Sequence, residues 1–260
     1  MPPPPRHRVR PALEPVGGGL AEEAREPLPK PPPAPPPPST FWSVVHLLHD
    51  GAERVLASFD ASFELGRRSP GGFGDDPFVS LRHIAFEPFD AIVRVRDLDS
   101  LNGVFVRLPA HHPLPLVSGD VFLVGAQVLR FELLDGAVAP GAVADDTNVF
   151  GSPSRARLAQ LTEVTCEGIA RSTYVIGSES VLIGREGVDV VYTDDPHLSR
   201  RHAELGVRSG FATLTDLGSS NGTFVRIRGE AELAGGTQLR VGQQRLRLDR
   251  MNNLENRGGA

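Results

Sequence analysis

Ser199, Arg200, Arg201 and His202 stand together in "DDPHLSRRHAELGVRSGFATLTDLGSSNGTFV", Asp194 to Val225, and a Ser219-Ser220-Asn221-Gly222 turn follows one hairpin later. Gly184-Arg185 lies just upstream. Guanidinium offers a planar fork of donors, a hydroxyl adds another, and an asparagine amide can hold a peptide backbone through both its donor and its acceptor. The inventory suits an oxyanion, and a phosphate carried on a peptide uses all of it. Three charge-assisted contacts at about 1.5–3 kcal/mol each compare with about 8 kcal/mol for micromolar binding, so the phosphate dominates and flanking residues add the rest. An unmodified hydroxyl forfeits most of this and leaves donors unpaired, so binding should switch with phosphorylation.

The unit is written twice. "DDPFVSLRHIAFEPFDAIVRVRDLDSLNGVFV", Asp75 to Val106, repeats the pattern, with Arg67, Ser80, His83, Asn102 and Gly103 at the matching positions. Serine and asparagine are 22 residues apart in both copies. A period of about 118 residues is too long for a solenoid unit, which runs roughly 20–50, and has the size of a domain. Two departures stand out: Leu81 replaces Arg200 and Leu101 replaces Ser220. The first copy is thus expected to bind phosphopeptides more weakly, or with a different preference.

Something must bring three separated pieces, Arg185, Ser199-Arg200 and Ser220-Asn221-Gly222, to one place. Short apolar runs such as "FWSVVHLL", "AIVRVRDL" and "VFLVGAQVLRFEL", rich in Val, Phe and Leu and divided by Gly, Asp, Pro and Asn, are strand signals. In "QRLRLDR", Leu246 and Leu248 alternate with Arg245, Arg247 and Asp249 as one core face and one wet face require. Many short strands between turns predict an all-β chain of two sandwiches, whose end loops converge at a rim. Residues 1–40 begin "MPPPPRHRVRP" and end "KPPPAPPPPST", a composition that resists helix and sheet and reads as a disordered tail. The expected order is tail 1–40, sandwich 41–134, linker 135–157, sandwich 158–250 and C-terminal tail 251–260.

The series G-R, S-R-R-H-A and D-L-G-S-S-N-G-T-F-V, in this order and spacing, resembles the forkhead-associated (FHA) domain, a two-sheet β-sandwich that binds phosphothreonine peptides. The likeness covers Leu158 to Arg250 closely and Phe41 to Leu134 less well. It implies that Arg185 and Ser199 are phosphate ligands, Arg200 a further cationic contact and Asn221 the grip on the peptide main chain, with Ser220 adding a contact. His202 and Gly222 are implied as structural support. In the first copy, Arg67, Ser80 and Asn102 would form a second, weaker site, supported by His83 and Gly103. The preference for phosphothreonine over phosphoserine comes from the resemblance alone.

Composition narrows the remaining classes. The formal net charge of −5 argues against a broad positive field for nucleic acid or anionic lipid. A single cysteine, Cys166, allows no internal disulfide, and the chain has no apolar stretch of membrane-spanning length. We read a cytoplasmic protein without cofactor. Cys166 is placed in a strand, as a buried thiol. His46 and His49 read as strand residues, not metal ligands, and His111 and His112 are given no role. With no P-loop, nucleophile elbow, metalloprotease motif or kinase signature, an enzyme is the weakest class. The favoured function is an adaptor that binds the phosphothreonine-bearing substrates of Ser/Thr kinases, its second domain the main reader. The alternative is a phosphate-independent scaffold using the sandwich surfaces. Thr147, in "ADDTNVF", could be phosphorylated and captured by a flanking domain.

Overall fold

The computed structural model describes residues 41–69, 73–134, 156–208 and 210–251. The proline-rich segment, most of the expected linker with Thr147, and the last nine residues lie outside that set. All regular structure among the described residues is β. The first copy supplies β1 (Phe41–Leu47), β2 (Glu53–Phe59), β3 (Phe63–Leu65), β4 (Ile84–Pro88), β5 (Val93–Asp97), β6 (Val104–Arg107), β7 (Leu114–Leu116), β8 (Val121–Val124) and β9 (Gln127–Leu133). The second supplies β10 (Ala159–Val164), β11 (Ala170–Ile176), β12 (Ser180–Gly184), the short β13 (Val190–Val191), β14 (Ala203–Arg208), β15 (Phe211–Asp216), β16 (Thr223–Arg226), β17 (Glu230–Leu233), β18 (Gln238–Val241) and β19 (Gln244–Met251).

Alternation sets the faces as the sequence predicts. Leu246 and Leu248 on β19 are fully buried, and the intervening Arg247 turns outward to Glu53 and Asp249. Each apolar side chain buried this completely contributes about 1.5–3 kcal/mol, enough for short strands of modest intrinsic propensity to hold their register.

The two sandwiches do not close on consecutive strands. A ten-stranded sheet runs β11-β10-β9-β8-β16-β6-β18-β19-β1-β2 and backs both of them. Its β6 to β2 half faces the sheet β17-β5-β4-β3, and its β11 to β16 half faces the sheet β13-β12-β14-β15-β7. One core gathers Trp42, Phe86, Val95 and Val104 with Leu239, Val241, Leu246 and Leu248. The other gathers Ile183, Leu205, Leu214 and Val225 with Phe122, Val124, Leu129 and Phe131. The last three strands of each copy have therefore changed places. The stretches 41–134 and 158–250 each carry a complete strand set in sequence, but every sandwich takes strands from both.

Exchange costs little because each strand meets an equivalent neighbour in either arrangement. β9 pairs with β10, Leu161 opposite Phe131, where β19 pairs with β1, Val44 opposite Leu248. The crossing point is the antiparallel pair β6–β16, with Val106 opposite Val225 and Phe105 and Arg107 opposite Arg226 and Phe224. This register is symmetric about the two valines, so the molecule has a local pseudo-two-fold axis there.

Candidate functional site

The second copy's rim is organised by a close backbone approach. A Cβ on Gly184 would lie 2.1 Å from the carbonyl oxygen of Arg200, so only glycine lets β12 end against that segment. The Arg185 amide then donates to the carbonyls of Ser199 (3.1 Å) and Arg200 (3.0 Å). Arginine and serine, fourteen positions apart in the chain, thereby become backbone neighbours. The Arg185 guanidinium has no hydrogen bond or ion pair among the described residues.

His202 holds the other side. It is fully buried; its Nδ1 accepts from the Ser199 amide (3.1 Å) and its Nε2 lies 3.2 Å from the Gly222 carbonyl. An amide can only donate, so Nδ1 is bare and Nε2 carries the proton that Gly222 accepts. Burial lowers the pKa from its ordinary 6.5, against the opposing pull of the Gly222 bond and of Asp216 and Asp195. The ring is a neutral brace between the serine loop and the asparagine turn. The Ser199 Oγ accepts from the Ser220 amide (3.2 Å), which leaves its own hydrogen to give. Asn221 Nδ2 donates to the His197 carbonyl (2.8 Å), leaving Oδ1 and a second amide hydrogen.

Asp216 builds the turn itself. Its Oδ1 accepts from the amides of Gly218 and Ser219, and its Oδ2 from the hydroxyls of Ser219 and Thr223, both at 2.6 Å. Burial would raise this carboxyl, but the two hydroxyl bonds and the Ser219 amide hold it below its ordinary value. The Ser219 Oγ in turn accepts from Gly222 N (3.0 Å). The serine loop is pinned by Asp195, which accepts from His197 N (2.9 Å) through Oδ1 and from Ala126 N (2.8 Å) and Gln127 Nε2 (2.9 Å) through Oδ2. Ala126 and Gln127 come from the first copy, at the β8–β9 turn.

The first copy repeats this geometry. Arg67 N donates to Ser80 O (2.9 Å), Ser80 N to His83 Nδ1 (3.0 Å), His83 Nε2 to Gly103 O (3.0 Å), and Asn102 Nδ2 to Phe78 O (2.8 Å). Leu101 still donates its amide to Ser80 Oγ (3.1 Å), so its substitution changes a side chain and spares the frame. Asp76 pins this loop by accepting from Gln243 N (2.9 Å) and Gln244 Nε2 (2.6 Å), again across copies.

Each asparagine turn also rests on the other copy. Gly222 has φ +83° and a Cβ there would sit 2.4 Å from Nε of Arg107; Gly103 has φ +81° and would meet Nε of Arg226 at 2.3 Å. The family resemblance implied these glycines as structural support, but the arginines were not legible in the sequence, because their proximity arises from the β6–β16 crossing.

The remaining residues fall around this frame. Ser220 is exposed at the rim, its amide spent on Ser199 and its hydroxyl without a partner among the described residues. Arg200 is exposed and lies 3.4 Å from Glu186. Cys166 is exposed, contrary to the expected buried strand position. β10 stops at Val164, and a turn closed by Thr165 N to Ile169 O (2.9 Å) and Gly168 N to Thr165 O (2.9 Å) carries the thiol into solvent. His46 lies on β1, and His49 sits in the turn beyond it. Among the described residues no group of three His, Cys, Asp or Glu side chains is placed to hold a metal ion, and no helix is long and apolar enough to cross a membrane.

Comparison with known proteins agrees with this geometry. The FHA domain family matches residues 64–125 and 181–242. The chain is similar to the glycogen accumulation regulator GarA of Mycolicibacterium smegmatis, 30% identical over 131 residues that cover 50% of this chain and 83% of the relative. It is 28% identical over 103 residues to the FHA domain-containing protein FhaB of Mycobacterium tuberculosis, covering 38% and 66% of the two chains. It is also 27% identical over 121 residues to the oxoglutarate dehydrogenase inhibitor of Corynebacterium efficiens, covering 46% and 83%. Two rims of one design, each matched by the same family, make this chain a tandem member of the FHA domain family of phosphothreonine-binding regulatory adaptors.

Proposed function

We propose that the chain is a non-catalytic, cytoplasmic reader of phosphothreonine peptides made by Ser/Thr kinases, and that the rim of Arg185, Ser199, Arg200, Ser220 and Asn221 is its main site. The observation that carries this is Arg185, whose guanidinium has no partner among the described residues and whose amide bonds the carbonyl of Ser199, a serine whose hydroxyl hydrogen is unspent. A dianionic ester satisfies both, and the open half of the Asn221 amide takes the peptide backbone. The rim of Arg67, Ser80 and Asn102 is the weaker site, since Leu81 and Leu101 supply no further donors. The relatives' names, a regulator of glycogen accumulation and an inhibitor of oxoglutarate dehydrogenase, suggest an enzyme as the regulated partner. Phosphorylated Thr147 is a candidate internal ligand.

The test is titration of matched Thr, phosphothreonine and phosphoserine peptides into the intact chain and into Arg67→Ala and Arg185→Ala variants. Phosphothreonine peptides should bind best, with Arg185→Ala losing about 10–100-fold, the size of one or two charge-assisted contacts. Equal affinity for modified and unmodified peptides rejects the reading. It would favour the phosphate-independent scaffold, for which Phe78, Leu81 and Leu101, all exposed beside the first rim, provide an apolar surface.

A further inference from the structure

The two rims differ in charge, and strand exchange brings further arginines to the less charged one. A groove of about 900 Å³ opens beside Asn102 and crosses the outer face of β16, β6 and β18. Arg226 and Arg240 both stand opposite Phe105, one from each neighbouring strand, and directly opposed residues share a face of the sheet. Two arginines thus stand on either side of Phe105 on one face of the sheet. Both belong to the second copy and reach the first rim only through the exchanged pairing.

Their charge is poorly matched by protein carboxylates. Arg226 packs onto the Gly103 turn, with Asp97 3.9 Å away. Arg240 donates to the Gly242 carbonyl at 3.3 Å and has no carboxylate within ion-pair distance among the described residues. Burial and the neighbouring Arg245 both work against its charge, opposed only by Asp76. Glu163 and Glu167 line the groove's other part, where Arg171 already pairs with Glu163. The second rim has no equivalent. Its matching positions are Arg107, tied to Gln238 at 3.0 Å, and Leu123.

We propose that the first rim reads phosphothreonine peptides whose residues on the Asn102 side are acidic, their carboxylates held by Arg226 and Arg240 on either side of Phe105. This rests on the phosphopeptide reading above. The two rims then sort partners by flanking sequence: the first pairs an apolar edge with two arginines, whereas the second pairs a polar edge with Arg107 and Leu123 at the matching positions.

The experiment uses the full chain carrying Arg185→Ala, so that the first rim is read alone. Three labelled phosphothreonine peptides are titrated by fluorescence anisotropy: one with two acidic residues before the phosphothreonine, one with two after it, and one with neither, each beside its unphosphorylated twin. One acidic peptide should bind about tenfold tighter than the neutral one, as charge-assisted contacts in a partly buried groove allow. Arg226→Gln with Arg240→Gln should abolish that preference, and the paired lysine substitutions should keep most of it, which separates lost charge from lost fold. Equal binding of all three phosphopeptides overturns the proposal, as does a preference that survives the glutamine pair, or no phosphopeptide binding to the Arg185→Ala chain. Binding of the unphosphorylated twins as tight as the phosphopeptides, in both the Arg185→Ala and the Arg67→Ala chains, would instead sink the underlying reading.

Discussion

His83 and His202 are each fully buried between an amide that donates to Nδ1 and a carbonyl that accepts from Nε2. Protonation would set Nδ1–H against the serine amide, and burial lowers both pKa values from 6.5. The sign follows: the unfolded chain takes up protons near pH 6.5 before the folded chain does, so stability is full above that value and falls as pH drops from 6.5 toward the folded pKa. Each histidine contributes a slope of up to about 1.4 kcal/mol per pH unit, and His46, also lowered chiefly by burial, adds to it. The carboxylates held low, Asp195 and Asp216, act in a separate window below 3.8. Urea unfolding at pH 7.5, 6.5 and 5.5 should show the intact chain losing stability on acidification. His83→Gln with His202→Gln, which keeps a donor and an acceptor, should flatten the decline; an unchanged slope would refute the neutral-brace assignment. The supporting role of these histidines was implied by the FHA resemblance and not by S-x-R-H itself. Asp216 and Ser219 were not singled out, although Asp-Leu-Gly-Ser was in plain view, because a turn-building carboxylate and a surface one look alike until its four donors are placed.

At the scale of elements, the strands were legible because alternation follows the pleat wherever one face is buried. Which copy a strand serves was not, since Leu246 and Leu248 satisfy the same inward pattern against either β1 or β10. The recurring Asp-Asp-Pro held a clue. Asp76 and Asp195 tie their loops to Gln243–Gln244 and Ala126–Gln127, so the phosphate-facing loop of one copy is positioned by a hairpin of the other. Burial would raise the Asp195 carboxyl, but its bonds from Ala126, Gln127 and His197 keep it below its usual value. Asp195→Ala leaves two backbone amides without partners, each costing about 1–3 kcal/mol. We expect a loss of about 2–4 kcal/mol in urea unfolding and weaker phosphopeptide binding at the second rim, with Asp195→Asn intermediate because its carbonyl still accepts. A stability loss under about 0.5 kcal/mol, the ordinary size for a surface change, would mean that the loop holds itself.

For the whole molecule, exchange makes the two recognition rims parts of one cooperative body. Unfolding either copy strips strands from both sandwiches: without the second copy the first core loses Leu239, Leu246 and Leu248, and without the first copy the second core loses Phe122, Leu129 and Phe131. The topology can be caught covalently. Glu132 on β9 stands opposite Gln160 on β10, a separation of about 4.5–5.5 Å between Cα atoms in an antiparallel pair, which a disulfide can span. In an unexchanged chain β9 would pair with β1 and these residues would sit in different sandwiches. A chain with Cys166→Ser, Glu132→Cys, Gln160→Cys and a protease site placed within residues 135–155 should, after oxidation and complete cleavage, run as one band on a non-reducing denaturing gel and as two once reduced. Two bands before reduction, from a chain that still binds phosphopeptide, would show that each copy closes on its own strands. The contacts of Arg226 with the first rim and of Arg107 with the second would then have to be abandoned with the exchange.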